Sequence, residues 1–258
     1  MRADKYFAEK FGSRTKAAEA IEKGLVLVNG TPIRTKDEIR ETDVITFVQA
    51  EQSFVSNGGY KLARAIETFG FSCKGKVFVD IGASTGGFTD CLLQNGAEKI
   101  YAVDVGESLL HESLVSSGKI VRMENTNARY LTKDDFPEPI DAVVTDVSFI
   151  SLRLMFPAIK SILGDFGEAF VLIKPQFECE KKNIGKSGIV HPSAHAQIVK
   201  KVLGFAEEYC LYPFGIVNAP VRKGKNIEYV LHIKAKQEGA LSTEQTVNTV
   251  QRFLQEMK

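Results

Sequence analysis

The segment Asp80-Ile81-Gly82-Ala83-Ser84-Thr85-Gly86-Gly87-Phe88 has the residue types to cradle a cofactor. It joins an apolar run, KVFVDIG, to an amphipathic one, GFTDCLLQNG, and so reads as a strand-to-helix turn. Small residues there let the backbone approach a ligand closely. In an open α/β sheet such a turn lies at the carboxyl ends of the strands, where ligands bind. Asp104 ends the next apolar run, YAVDVG, where an acid can hold ribose hydroxyls. Asn127-Ala128 follows the third run, where an adenine edge would be read. Asp146 and Lys174 each close a further apolar run, and Pro175 keeps the Lys174 backbone extended.

Two cofactor classes suit this turn. One is a nicotinamide dinucleotide with Asp104 on its ribose. The other is S-adenosylmethionine, which carries an amino acid, a sulfonium and an adenosine but no phosphate. The glycine spacing is not GxGxxG, so the dinucleotide fingerprint is unmet and the methyl donor is favoured. Asp80 would then help hold its amino group. The candidate cofactor site is Asp80, Gly82, Ala83, Ser84, Gly86, Gly87, Phe88, Asp104, Asn127, Ala128 and Asp146.

Alternating segments must position these residues. KVFVDIG, KIYAVDVG, IVRMEN, DAVVTDVSFI and AFVLIKP read as strands with helical stretches between, and this βαβα rhythm predicts a parallel, doubly wound sheet. FGIVNAP and IEYVLHIK are two more strands, joined by the basic loop VRKGKN, and STEQTVNTVQRFLQEMK is a closing helix. Upstream, KLARAIETFG is a helix with Leu62, Ala65, Ile66 and Phe69 at helical spacing. The first 50 residues read as a separate module. A helix over Ala3 to Phe11 is followed by TKAAEAIEK, capped by Ser13 and ended by Gly24. The strand LVLVNG, the Asn29-Gly30 hairpin turn, the strand TPIRT and then DVITFV complete it. The expected division is a small module over 1–50, a linker over 51–58, a main domain over 59–240 and a C-terminal helix over 241–258.

DIGASTGGFTDCLLQNGA, VDVG, TNARYLT, DVSFISL, LIKPQFE and NIEYVLH together resemble the TlyA family of ribosomal-RNA 2′-O-methyltransferases, some of them labelled haemolysins. The resemblance runs from Met1 to Ile233. It implies an N-terminal α+β S4 RNA-binding domain before an FtsJ-like, class I (Rossmann-like) methyltransferase domain. That domain has a seven-stranded, mostly parallel sheet with the last pair antiparallel. It also implies S-adenosylmethionine as cofactor and cytidine riboses of small- or large-subunit ribosomal RNA as substrate. The family's Lys-Asp-Lys-Glu catalytic set falls on Lys61 in GGYKL, Asp146 in TDVSFI, Lys174 in LIKPQFE and Glu228 in NIEYV. Two segments depart from the family pattern: Asn57 stands where arginine is usual, and ESLLHESL replaces a Gly-Gln-Leu run.

Methyl transfer to a ribose hydroxyl is an in-line displacement at a sulfonium, so the protein must align the hydroxyl and help remove its proton. Lys174 is the expected proton acceptor, a role that requires its pKa to be depressed by burial or by a like charge such as Lys61. Asp146 and Glu228 would orient the two ammonium groups. Taken singly, Lys61 and Glu228 read far better as a surface salt bridge or solvated charges, and it is the four positions together that favour a site.

The chain of 258 residues is 44% apolar and 25% charged, enough for one α/β domain and a small module. Its net charge is +1, so any RNA surface must come from local arrangement. Arg2, Lys5, Lys10, Arg14, Lys16 and Lys23 are candidates in the N-terminal module. Lys181, Lys182, Lys186, Arg222, Lys223 and Lys225 are candidates in two later loops. The four cysteines lack CxxC spacing and read as free thiols. His191 and His195 have no third ligand in view, so no metal is expected, and Met123 and Met155 read as core. With no apolar leader or run of spanning length, the expectation is a cytoplasmic protein. The rival readings are a catalytically silent RNA-binding assembly factor, a membrane-active haemolysin and a nicotinamide-dependent oxidoreductase.

Overall fold

The computed structural model describes residues 1–22, 25–40, 42–47, 53–185, 187–222 and 224–257. The chain divides into two compact units, Met1–Ser53 and Phe54–Lys258.

In the first unit the expected helix over residues 3–11 is broken at Phe7 into α1 (Ala3–Tyr6) and α2 (Ala8–Phe11). Helix α3 (Arg14–Glu22) follows, and the Ser13 hydroxyl accepts the Lys16 N–H at 3.2 Å. The expected Gly24 terminus lies outside the described residues. A three-stranded antiparallel sheet has the order β2-β1-β3, with β1 at Val26–Val28, β2 at Thr31–Pro32 and β3 at Ile45–Phe47. Asn29 and Gly30 both take positive φ (54° and 77°), as a two-residue hairpin turn demands. Ala3, Phe7, Ala17, Ile21, Val26, Val28 and Ile39 form the core of this unit.

The second unit begins differently from the expected linker. Helix α4 (Asn57–Phe69) already includes Asn57, Gly58 and Gly59. These glycines serve close packing: a Cβ on Gly59 would strike the Phe54 ring, and one on Gly58 would touch Phe88 and Asp146. The strands are β4 (Val77–Ile81), β5 (Lys99–Val103), β6 (Ile120–Met123), β7 (Ala142–Thr145), β8 (Glu168–Ile173), β9 (Tyr212–Asn218) and β10 (Tyr229–Lys234). They form one seven-stranded sheet of order β6-β5-β4-β7-β8-β10-β9. The first five pair in parallel, while β10 runs antiparallel to β8 and β9. The chain leaves β4 toward β5 and later returns to its other side at β7, so the switch point opens beside β4.

Both faces of the sheet are buried, with alternate residues serving each. Phe78, Ala142, Val144, Phe170 and Leu172 share one core with Leu62 and Ala65 of α4 and with Phe88, Cys91 and Leu92 of α5 (Gly87–Gln94). Val79, Ile81, Val143, Val171 and Ile173 share the other with α7 (Phe156–Leu163) and α9 (His195–Glu207). The short helices α6 (Glu112–Val115) and α8 (Pro175–Glu178) lie between these elements in sequence. The C-terminal helix α10 (Thr243–Glu256), expected as a segment of its own, packs on α9 and β9 and sends Val250 into this second core. Met155 is buried there and Met123 packs partly buried against it.

At the far end of the sheet His232 stacks on Phe170, ring centroids 4.6 Å apart, and its Nε2 lies 2.6 Å from the Glu168 carboxylate. Burial alone would raise the Glu168 carboxyl. The hydrogen bond and charge of His232, followed by those of Lys234, outweigh it and bring the group down to about 2. The folded-state value is below the ordinary one, so this pairing stabilises the protein above about pH 4.5 and is lost as pH falls toward 2. Glu168→Gln is expected to cost on the order of 2 kcal/mol at pH 7, with the deficit closing in acid. Thermal unfolding of both proteins between pH 3 and pH 7 checks this, and a pH-independent deficit would contradict it.

Candidate functional site

Four separate stretches of chain supply one charged cluster. Lys61 comes from the second turn of α4. Asp146 follows β7, Lys174 follows β8, and Glu228 precedes β10. The Lys174 ammonium lies 2.6 Å from Asp146 Oδ1. The Lys61 ammonium lies 2.8 Å from Glu228 Oε2 and 3.5 Å from Asp146 Oδ2. Asp146 therefore bridges both lysines, one to each carboxylate oxygen. Lys174 is only 8% exposed, and its buried charge needs this partner.

Sequence reasoning missed several neighbours. Lys174 also donates to the Ser148 hydroxyl at 2.6 Å, and the Gln176 amide donates to Glu228 Oε1 at 3.2 Å. Both follow a strand end within two residues of a flagged position, which was the available signal. Phe149 is 91% exposed, takes a positive φ of 63°, and packs on Phe177 with centroids 5.0 Å apart. A bulky residue held in that conformation and left in solvent is a candidate contact surface.

Two cavities meet the cluster. The smaller, ≈160 Å³, is lined by Gly58, residues 82–85, Gly87, Phe88, Asp146, Ser148 and Lys174. The larger, ≈650 Å³, is lined among others by Tyr60, Lys61, Gln176, Arg222, Lys225 and Glu228. Lys61 and Glu228 thus face one cavity, Lys174 and Asp146 the other.

Four amides of the turn are already engaged within the protein. The amides of Gly82 and Ala83 donate to the Val103 carbonyl, that of Gly86 to Ala83, and that of Ser84 to Asp104 Oδ2 at 2.8 Å. A pyrophosphate needs such amides free. Asp104 and Asp146 instead place carboxylates beside the turn, which suits a cationic ligand.

Five expected cofactor residues lie outside the lining of this smaller cavity. Asp80 is fully buried and does not line the cavity. One of its oxygens accepts from the Thr89 hydroxyl at 2.6 Å, tying α5 to β4, and the other has no hydrogen-bond partner among the described residues. Asn127 caps a short turn by accepting the Arg129 N–H, and Ala128 packs in the core. Asp104 also lies outside the cavity lining, with both oxygens taking backbone N–H groups of Ser84 and Gly106. Gly86 faces protein: Leu110 and Leu114, from the ESLLHESL segment, lie where its Cβ would go, and the His111 N–H donates to the Thr85 carbonyl at 3.2 Å.

All of the expected RNA contacts among the described residues are exposed, Lys225 included. Lys10 lies over the Phe47 ring, Arg222 donates to the Asn57 side chain, and Lys182 pairs with Glu180. Arg2 and Arg14 both bind Asp4. Lys23, Lys186 and Lys223 lie outside the described residues. Cys73, Cys91, Cys179 and Cys210 are free. His191 accepts the Ser193 N–H, while His195 is buried with its Nδ1 2.9 Å from the Tyr229 hydroxyl. Among the described residues no group of His, Cys, Asp and Glu side chains is arranged to hold a metal, and no helix is long and apolar enough to cross a membrane.

Burial is the main force raising the Asp80 carboxyl to about 7, with the nearby Asp146 and Asp104 charges adding to it. The folded protein therefore holds this proton more tightly than the unfolded chain, and its stability falls as pH rises from about 4 to about 7. Asp80→Asn is expected to raise the melting temperature of ligand-free protein more at pH 8 than at pH 5, by on the order of 2 kcal/mol at the higher pH. An equal difference at both pH values would mean that no buried ionisation is present.

Comparison with known proteins places these features. Residues 54–235 match the profile of the FtsJ-like methyltransferase family, and residues 1–45 match the S4 domain. The chain is 37% identical to the 16S/23S rRNA (cytidine-2′-O)-methyltransferase TlyA of Mycobacterium tuberculosis, over 95% of this chain and 92% of that protein. It is 40% identical to Hemolysin A of Brachyspira hyodysenteriae, over 90% and 99% of the two. A solved structure from Streptococcus thermophilus, provisionally labelled a hemolysin, superposes with a TM-score of 0.72 at 34% identity, covering 99% of this chain and 97% of that one.

Proposed function

We propose that this chain, which belongs to the FtsJ-like methyltransferase family and carries an S4 domain, methylates the 2′-hydroxyl of a cytidine ribose in ribosomal RNA using S-adenosylmethionine. The observation that carries the reading is the convergence of Lys61, Asp146, Lys174 and Glu228 at the sheet's switch point, between two cavities. The TlyA relative of Mycobacterium tuberculosis bears this activity in its name.

S-adenosylmethionine supplies a methyl group already activated by its sulfonium. Asp146 and the turn over residues 82–88 would hold its cationic end, and the acidic surroundings favour that end. The larger cavity takes the nucleotide. There Lys61, held by Glu228, binds and aligns the ribose, and the Lys174 nitrogen, after giving up its own proton to solvent, receives the proton that leaves the hydroxyl. Asp146 and Ser148 fix the direction of the Lys174 nitrogen. Phe149 and Phe177 offer an apolar ledge beside this cavity pair, on which a base drawn out of its stack can lie. Arg222 and Lys225 supply charge for the backbone at the mouth of the larger cavity.

The test is transfer of radiolabelled methyl from S-adenosylmethionine to unmodified ribosomal subunits. Lys174→Ala is expected to lower turnover by at least about 100-fold, the scale of a lost general base. Its affinity for the cofactor, measured by calorimetry, should change little. Label at a base rather than a ribose, or full turnover by the variant, would overturn the reading. No label on either subunit from cofactor-competent protein would favour an RNA-binding assembly factor instead. Phe149→Ala is expected to reduce kcat/KM about 10-fold through lost stacking, with the melting temperature unchanged or raised by relief of the positive φ.

A further inference from the structure

Asp4 is the buried acid among the described residues of the N-terminal unit, and it holds two arginines rather than one. Its Oδ1 accepts from Arg2 Nε at 3.2 Å. Its Oδ2 accepts from Arg2 Nη2 at 3.0 Å and from Arg14 Nε at 2.9 Å. The carboxylate is itself anchored. The Asp4 N–H donates to the Thr35 carbonyl and the Ala3 N–H to that of Asp37, while Ala3 and Phe7 on either side are in the core.

One guanidinium would neutralise one buried carboxylate. The second leaves the trio with a net charge of +1, and both arginines remain about half exposed, at 47% and 57% against 8% for Asp4. Among the described residues no other acceptor engages either guanidinium. The bonds to Asp4 use Nε of both and Nη2 of Arg2, so Nη1 of each and Nη2 of Arg14 still present donors. A planar fork of this kind matches the oxygens of a phosphate. An arginine already held in place also loses less rotamer freedom on binding. Arg34 and Asp37 give the contrast within the same unit: Arg34 is 89% exposed and its acid is itself partly in water, the pattern of an ordinary surface pair.

We propose that Asp4 is a positioning residue that presets Arg2 and Arg14 as a double guanidinium fork for a phosphate of the RNA backbone. The proposal rests on the reading that this unit binds RNA. Asp4 anchors the fork and does not itself touch the ligand. Burial alone would raise its carboxyl, but the hydrogen bonds and charges of Arg14 and Arg2 outweigh it and keep the group below its ordinary range, hence ionised when the fork is empty.

Charge and positioning make opposite predictions. Removing an acid from a surface that meets a polyanion should by charge alone strengthen binding. Loss of positioning should weaken it. The experiment is filter binding of the full chain to 16S and 23S ribosomal RNA transcripts across a salt series, with melting temperatures in parallel. Asp4→Asn is expected to weaken binding by about 3- to 10-fold, the scale of one lost hydrogen bond. In a background carrying Arg2→Ala and Arg14→Ala it should change affinity by less than about twofold, since the groups it orients are gone. A folded Asp4→Asn protein that binds as tightly as the parent, or more tightly, overturns the proposal. Where Asp4→Asn fails to fold, the pair Arg2→Lys and Arg14→Lys decides, because it keeps both charges and removes the Nε anchors. A loss of similar size supports the fork, and parental affinity overturns it. If the double alanine protein binds RNA as well as the parent with the same salt slope, the reading that this unit binds RNA through these arginines falls too.

Discussion

A carboxylate shared between two ammonium groups governs the second unit. Asp146 offers one oxygen to Lys174 and the other to Lys61. An ammonium as buried as that of Lys174 is costly to leave unpaired, so the positions of β7, β8 and α4 are tied to a single side chain. The parallel pairing of Thr145 with Val171 lets β8 run two residues past the end of β7, which carries Lys174 to the same edge of the sheet as Asp146 and Ser148. A slip of one residue would turn the alternating side chains to the opposite faces, exchanging the two cores. The packing on both faces of the sheet therefore holds the charges in register, and the site inherits its geometry from the core.

The same economy explains the glycines. Gly58 and Gly59 admit Phe54, Phe88 and Asp146 to the first turn of α4. Gly87 admits α4 itself, since a Cβ there would come within 3.0 Å of the Gly59 nitrogen and 3.1 Å of the Gly58 Cα. The start of α4 can then lie against the start of α5, which carries Lys61 to the cluster. Around the turn, hydrogen bonds engage the amides of Gly82, Ala83, Ser84 and Gly86, and the carboxylates of Asp104 and Asp146 stand beside them. A ligand that is cationic and free of phosphate meets less opposition there than a dinucleotide would.

Net charge says little about where this protein is basic. With a balance of +1, the chain spends many of its lysines and arginines on internal partners. Lys76 and Lys234 serve Glu168, Lys99 serves Glu138, and Lys160 serves Asp165. Arg2 and Arg14 differ because two cations share one buried acid, which leaves charge over. Local excess of this kind is what a polyanion can use.

The fold was largely legible in the sequence, because apolar periodicity reports burial directly. KVFVDIG, KIYAVDVG, DAVVTDVSFI and AFVLIKP are strands, and the resemblance of LIKPQFE and NIEYV to a known family located Lys174 and Glu228. Helix boundaries set by tertiary contact were not legible. Asn57 and Gly58 read as the end of a linker, yet both belong to α4, whose first turn packs against Phe54 and α5. Partners were not legible either. Asp80 and Asn127 have residue types that suit a ligand, yet one ties α5 to β4 and the other caps a turn, since a polar side chain binds whatever donor the fold brings within hydrogen-bonding distance. Ser148, Gln176 and Phe149 carried no pattern of their own. The sequence by itself determined which residues had to be buried and which chemistry was on hand. Tertiary structure alone decided which charges meet, because hydrogen bonds and ion pairs act over a few ångströms between residues that lie tens of positions apart in the chain.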